Sequence, residues 1–244
     1  SFLFLSCLPY SSANNPDKAD VYVSALKKVT DIMVNDVTSP VAASRYYAYT
    51  TLSSYEVVVA LRPDQFHTIG KISRSTTSFP KGLAKEKEVI NVTILGMWKT
   101  AAALLPSGGT LSPKIDSLSK SLPKPILLVI DQIVGKVVSM AMKDGFLQLN
   151  NLKRYTPKRG SGFWQPTGPA FMPPVEPHWN TISTLVLDSA NQFVPLPPIP
   201  FNVDKNAPFY LLLKEVYDIV RSKDKEKEVS ARQRMASSPE EKKK

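Results

Sequence analysis

Apolar residues recur at helical spacing through most of this chain. Between residues 18 and 34, Tyr22, Leu26, Val29 and Met33 fall on one face and predict a first helix. Asn35-Asp36-Val37-Thr38 interrupts the pattern. Ser39-Pro40 restarts it, because serine caps free amides and proline suits a first helical turn. The second helix runs to Leu61 and stops before Pro63, since the residue preceding proline disfavours helix. Its small residues, Ala42, Ala43, Ser44, Ala48, Ser53, Ser54 and Ala60, let a neighbouring helix approach closely. Tyr46, Tyr47, Tyr49 and Tyr55 fill gaps and seek hydrogen-bond partners.

Residues 62–83 are polar and turn-rich. A third helix is predicted from Ala84 to Leu105, with Ile90, Ile94, Met97, Trp98 and Ala101 on its buried face, ended by Pro106-Ser107-Gly108-Gly109. Ser112-Pro113 repeats the serine-cap signal and predicts a short helix to about Leu122. Pro125 opens a fifth helix, residues 126–142, with Ile130, Ile133, Val134, Val137 and Val138 as its stripe and Asp144-Gly145 as its stop. Later come a short helix from Thr181 to Ala190 and an apolar one from Ala207 to Val220, carrying Phe209, Leu212, Leu213, Val216 and Ile219. No strand pairs and no internal repeat stand out. The fold class is all-α, a helical bundle with long proline- and aromatic-rich crossing segments.

The main crossing occupies residues 150–180, and its centre is Tyr155 to Trp179. That stretch holds six of the 21 prolines and two of the three tryptophans, Trp164 and Trp179. Proline excludes helix and central strand there. The rings of Tyr155, Phe163, Trp164, Phe171 and Trp179 predict an ordered strap pinned by its aromatics. A second proline-rich segment, Pro195 to Pro200, is read as a packed crossing flanked by Phe193 and Phe201, ahead of an extended ligand for an aromatic groove.

Composition narrows the function. The net charge is +10, and residues 221–244 contribute nine Lys/Arg against five Asp/Glu. These charges are mixed in sign and lack interleaved aromatics, so nucleic-acid binding is not expected. Residues 221–244 read as a charged, solvated tail. The single cysteine, Cys7, excludes an intrachain disulfide framework. Residues 1–17 read as an export signal remnant and linker. Leu5-Ser6-Cys7 makes Cys7 a candidate lipidation site and membrane anchor, which predicts an exported chain, periplasmic or an outer-membrane lipoprotein. No apolar run approaches the ~20 residues that span a bilayer.

Candidate chemistry is sparse. His67 and His178 are the only histidines, and no HExxH, CxxC, GxSxG or P-loop spacing occurs. Asp31 and Asp36 read as helix-end charges. Asn91-Val92-Thr93 is a glycosylation sequon in mid-helix. His178-Trp179 reads as a packed pair able to line a pocket, and Arg154, Lys158 and Arg159 as a loop cluster able to attract an anion.

The strap carries a resemblance. Tyr155-Thr156-Pro157, then 160–167 (GSGFWQPT), Pro169, Pro173 and Glu176-Pro177-His178-Trp179 resemble a segment of bacterial vanadium-dependent haloperoxidase-related proteins, of the type 2 phosphatidic acid phosphatase superfamily. The resemblance extends to residues 35–49, to Leu187-Asp188-Ser189-Ala190 and to Phe209-Tyr210 through Tyr217. It implies an all-α bundle and, in many bacterial members, export. It also implies a vanadate or phosphate site made by a lysine, two arginines and two histidines, in motifs that follow the matched region. Here only echoes of those motifs occur. Arg62-Pro63 has Tyr55 where the lysine is expected; Pro106-Ser107-Gly108-Gly109 has Gly109 in place of the histidine; Ser44-Arg45 comes too early. The resemblance therefore implies a non-catalytic N-terminal half with no cofactor of its own, spanning 18–220. The alternatives are an interaction module that pairs with a separately encoded catalytic half or with itself, and a degenerate phosphatase built on Arg62, Arg154 and Arg159.

Overall fold

A computed structural model describes residues 17–69, 86–222, 225–227 and 229–230. Cys7 and the export segment, the start of the third helix at Ala84, and most of the charged tail lie outside the described residues. Within them the α-helices are α1 (Lys18–Asn35), α2 (Pro40–Leu61), α3 (Glu86–Leu104), α4 (Ser112–Lys120), α5 (Lys124–Lys143) and α6 (Pro208–Ser222). Short 3-10 turns lie at Gly108–Leu111, Leu149–Asn151 and Trp179–Thr181. No strand occurs among the described residues, so the fold is all-α.

Local chemistry sets these boundaries. α1 ends where Val37 takes a left-handed φ of 52°, and the amides of Asp36 and Thr38 return to the carbonyls of Ile32 and Met33. Ser39 then caps α2: its Oγ accepts from the Ala42 amide at 3.2 Å, with Pro40 in the first turn. The second serine-proline signal works differently. Leu111 holds the cap position of α4, and Ser112 already has helical dihedrals (φ −50°, ψ −46°). The preceding 3-10 turn runs straight into the helix, so the Ser112 hydroxyl lies inside the first turn rather than ahead of it.

The chain divides into two units, one made of residues 1–154 and 174–186, the other of 155–173 and 187–244. The first unit contains the core. Val29, Ile32, Met33, Tyr46, Tyr49, Met97, Ala101, Val137 and Phe146 bury one cluster, and Val57, Val92, Leu95, Ile126, Ile130 and Ile133 bury another. The small residues of α2 serve the expected close approach. Ser53 Oγ donates to the Gly96 carbonyl at 3.1 Å and Ser54 Oγ to that of Thr93 at 3.2 Å. A Cβ on Gly96 would stand 2.9 Å from Val57 Cγ2, so only glycine permits this α2–α3 distance without displacement. Trp98 donates from Nε1 to the Ala25 carbonyl at 3.1 Å and ties α3 to α1.

α5 corrects one expectation. Among the described residues it is the one helix long and apolar enough, by length and composition, to cross a bilayer. Charged and polar residues interrupt its apolar run, which is why no long uninterrupted stretch is visible in the sequence. Ile126, Val129, Ile130, Ile133, Val137 and Ala141 are buried in the core, while Asp131, Gln132 and Lys136 face outward. That two-sided distribution is what a core helix requires.

The second unit is built from extended and turn backbone plus α6. Gly162, at φ +83°, sits where a Cβ would approach Phe201 to 3.1 Å, and Phe201 meets Phe209 edge-on with ring centroids 5.2 Å apart. No described residue of this unit is buried. Two expectations fall here. Trp164 is 48% exposed and does not act as a buried pin. The segment Pro195–Pro200 is almost wholly exposed, with Phe193 73% exposed beside it, rather than packed. The predicted helix from Thr181 to Ala190 is also absent: one 3-10 turn at Trp179–Thr181 gives way to bends. Ten residues make a marginal helix, Ile182, Thr184 and Val186 are β-branched, and Ser183 is held by bonds outside its own segment.

Candidate functional site

Two charged residues stand alone on α2, Arg45 and Glu56, and both are turned inward. Arg45 and Tyr49 lie one turn apart and so share a face. Asp144 closes α5. Arg45 Nη2 and Tyr49 Oη both donate to Asp144 Oδ2, and Arg45 Nε donates to Tyr49 Oη at 2.8 Å. The other carboxylate oxygen, Oδ1, accepts from the Phe146 amide at 2.9 Å. Arg45 Nη2 also donates to the Ser183 carbonyl at 2.8 Å, and the Ser183 amide donates to the Asp144 carbonyl at 2.8 Å. The side chains of Arg45 and Asp144 are 11% and 4% exposed, so this is a buried ion pair with its hydrogen bonds largely satisfied. Burial by itself would lower the Arg45 pKa; the bonds from Asp144 and Tyr49 outweigh it and raise the value. Burial, reinforced by the bond to Asp144, pushes the Tyr49 hydroxyl well above its usual range.

Around this cluster the aromatic rings close ranks. Phe146 meets Tyr46 edge-on at 5.1 Å and Trp179 edge-on at 5.9 Å. Trp179 is half-buried against the core. His178 Nε2 lies 2.8 Å from the Lys153 carbonyl, and Ser39 Oγ donates to Glu176 Oε1 at 3.4 Å. Residues 174–186 are therefore latched to the rest of the first unit at several points. The His178-Trp179 pair belongs to this latch and lines no described cavity.

Glu56, the other inward charge, accepts at Oε1 from Thr68 Oγ1 at 2.8 Å and from the Ile69 amide at 3.3 Å, fixing the loop after α2. Tyr55 helps by donating to the His67 carbonyl at 2.8 Å.

The remaining sequence candidates share no described partner. Arg62 donates to its neighbour's carbonyl, Leu61, at 3.1 Å. Arg154 is exposed in the first unit and Arg159 in the second, and no described contact gives the three arginines a common partner. Asp31 pairs with Lys27 one turn away, which lowers its pKa, and Asp36 Oδ2 accepts from the Ser107 amide at 3.1 Å. Asp36 stands at the C-terminal cap of α1, as its position implies, whereas Asp31 lies within the helix in a surface pair. Among the described residues no cluster of His, Cys, Asp and Glu is arranged to hold a metal ion.

An oxyanion such as vanadate needs converging, uncommitted donors. The positions that echo such a site do not fit it. Tyr55 is engaged with a carbonyl and packs edge-on against Phe66. Gly109 has no side chain to offer. Arg45, beside Ser44, is committed to Asp144 and Ser183. Its buried network was missed in the sequence, where Asp144 reads only as a helix stop. The available signal was Arg45 itself, the one cation on an otherwise cation-free helix.

The chain matches no protein-family profile and no curated protein. Among solved structures it is similar to one described as the first bacterial vanadium-dependent iodoperoxidase. The two superpose with a TM-score of 0.67 at 29% sequence identity, over 86% of this chain and 52% of the other. The fold is thus haloperoxidase-like, and this chain spans about half the length of that neighbour.

Proposed function

We propose that this chain is the non-catalytic N-terminal half of a vanadium haloperoxidase- or acid phosphatase-like protein, of bacterial origin. Its role is to support a catalytic half that carries the oxyanion site. The observation that carries this reading is the unequal coverage: 86% of this chain against 52% of the iodoperoxidase. The engagement of Tyr55 with the His67 carbonyl and of Arg45 with Asp144 supports it further. We place the protein outside the cytoplasm, where an export segment with Cys7 as anchor would deliver it.

The test has two arms. The purified chain is incubated with vanadate, iodide and hydrogen peroxide, and separately with a phosphomonoester. No turnover is expected in either arm. Turnover abolished by Tyr55→Phe or Arg62→Ala would overturn the reading in favour of a degenerate oxyanion site. Reading the coding sequence beyond Lys244 then asks for a Ser-Gly-His motif in any frame, which is expected where the proposed catalytic half is encoded next to this one.

A further inference from the structure

The buried acid that closes α5 stands in a chemically labile sequence. Asp144 is followed by Gly145, the chain's single Asp-Gly, and no Asn-Gly occurs. An aspartyl residue before glycine is prone to cyclise, because no side chain shields the following amide. The amide nitrogen bonds to the side-chain Cγ. The amide hydrogen and the carboxyl hydroxyl leave together as one water, and a five-membered cyclic imide results. Addition of one water reopens the imide at either carbonyl. One product is aspartate again. The other is isoaspartate, whose main chain runs through Cγ. The net change is an isomerisation, with nothing oxidised or reduced.

The fold requires this pair of residues. The Asp144 amide returns to the Met140 carbonyl and ends α5. Gly145 follows at φ 96°, a conformation that residues with a Cβ rarely adopt. The labile bond is therefore built into the end of the helix.

The same surroundings oppose the reaction. A planar imide needs Cβ and the Gly145 nitrogen eclipsed about the Cα–C bond. At ψ −6° the Asp144 nitrogen is eclipsed with the Gly145 nitrogen instead, and Cβ is turned away. Rotating ψ would swing the Asp144 carbonyl, which accepts from the Ser183 amide at 2.8 Å. Both carboxylate oxygens are held, Oδ2 by Arg45 Nη2 and Tyr49 Oη, and Oδ1 by the Phe146 amide. Loss of an oxygen would also leave Arg45 uncompensated in a buried setting.

We propose that Asp144–Gly145 is a site of spontaneous covalent modification, converting to isoaspartate when the contacts of Arg45, Tyr49 and Ser183 open, and that these contacts preserve the bond. Isoaspartate adds a methylene to the main chain and shortens the side group. Its carboxylate no longer reaches Arg45 with Phe146 in place, so the opened contacts do not close again.

The test incubates the full 244-residue chain at physiological temperature and pH in heavy-oxygen water. Hydrolysis of an imide leaves a heavy oxygen in the peptide, and fragmentation mass spectrometry locates it and separates isoaspartate from aspartate. Asp188, before Ser189 in an exposed bend, supplies the rate of an unprotected site. The native chain should label Asp144 more slowly than Asp188. Arg45→Met should raise labelling at Asp144 severalfold, above Asp188, and leave Asp188 unchanged. Circular dichroism checks that the variant is folded. Should it not fold, the native chain is labelled in urea below its unfolding transition, where Asp144 should already gain label. Labelling that appears only as the helical signal is lost would assign the protection to the whole bundle and overturn the proposal. So would native labelling of Asp144 as fast as that of Asp188, or a folded Arg45→Met that labels like the native chain. The isoaspartate fraction should show faster hydrogen exchange at the Ser183 amide; unchanged protection there would refute the loss of closure.

Discussion

Asp144→Ala is the most informative single change in this molecule. It removes the acceptor of Arg45 Nη2 and Tyr49 Oη at once, and the partner of the Phe146 amide with them. Arg45 then keeps only the Ser183 carbonyl and the Tyr49 hydroxyl in a setting where its side chain is 11% exposed. Breaking a buried pair from one side leaves an uncompensated charge and costs about 3–5 kcal/mol. Tyr49→Phe removes the hydroxyl's bond to Asp144 and its acceptance from Arg45 Nε, and the lost bond to a charged group alone costs about 1.5–3 kcal/mol. The exposed Lys214–Asp218 pair gives the internal standard, since both charges stay in water and breaking it should change stability little. Urea denaturation followed by circular dichroism measures all three. The double variant Arg45→Met with Asp144→Ala should cost less than the sum of its parts, because it leaves no stranded cation. Hydrogen exchange at the Ser183 amide should rise in Asp144→Ala even under conditions where the bundle stays folded. The reasoning is refuted if Asp144→Ala costs under about 1 kcal/mol, the range of a surface pair, or if the single changes simply add.

Four further outcomes follow from the same structure. Tyr49 is buried with a raised pKa, so above about pH 10 the unfolded chain loses that proton before the folded one. Stability should be flat below that pH and fall above it, and Tyr49→Phe should flatten the alkaline limb of a melting curve. Trp179→Ala should cost about 2 kcal/mol, and Trp164→Ala under about 1 kcal/mol, because the first ring packs on the core and the second is half in water; denaturant titrations that reverse this order would contradict the assignment. Val37 holds a left-handed φ while 88% exposed, so Val37→Gly should stabilise by about 1 kcal/mol, read as a higher midpoint at unchanged slope. Thr100 Oγ1 is buried with no hydrogen-bond partner, so the isosteric Thr100→Val should be neutral or stabilising by about 1–2 kcal/mol in the same assay.

The helices were legible because apolar spacing and end signals agreed. Tyr22, Leu26, Val29 and Met33 marked α1, Ser39-Pro40 marked the start of α2, and Ile130, Ile133 and Val137 marked the inner side of α5. The crossings were not legible in the same way. An aromatic ring such as Trp164 signals burial on average, yet nothing local says whether a partner surface is at hand. The Arg45–Asp144 pair was hidden for another reason. Its members are 99 residues apart, and burial of a charge depends on an ion partner that only the folded arrangement supplies. The haloperoxidase-like fold was carried by the strap's own residues, and the structural similarity agrees with it.

The latch on residues 174–186 has a bearing on the order of events during folding. Its far end, Ser183, lies 138 residues beyond Arg45, whereas α1 to α5 all precede it and follow one another in sequence. Closing a long loop carries an entropic cost that local helix pairs do not face. A chain emerging from the ribosome has α1 to α5 available before Ser183 exists, so the bundle condenses first and the latch closes afterwards. Energy held in a late-forming contact is absent from the folding transition state. It therefore slows unfolding rather than hastening folding. Arg45 and Asp144 would then govern how long the bundle keeps residues 174–186 in place, more than how quickly it forms.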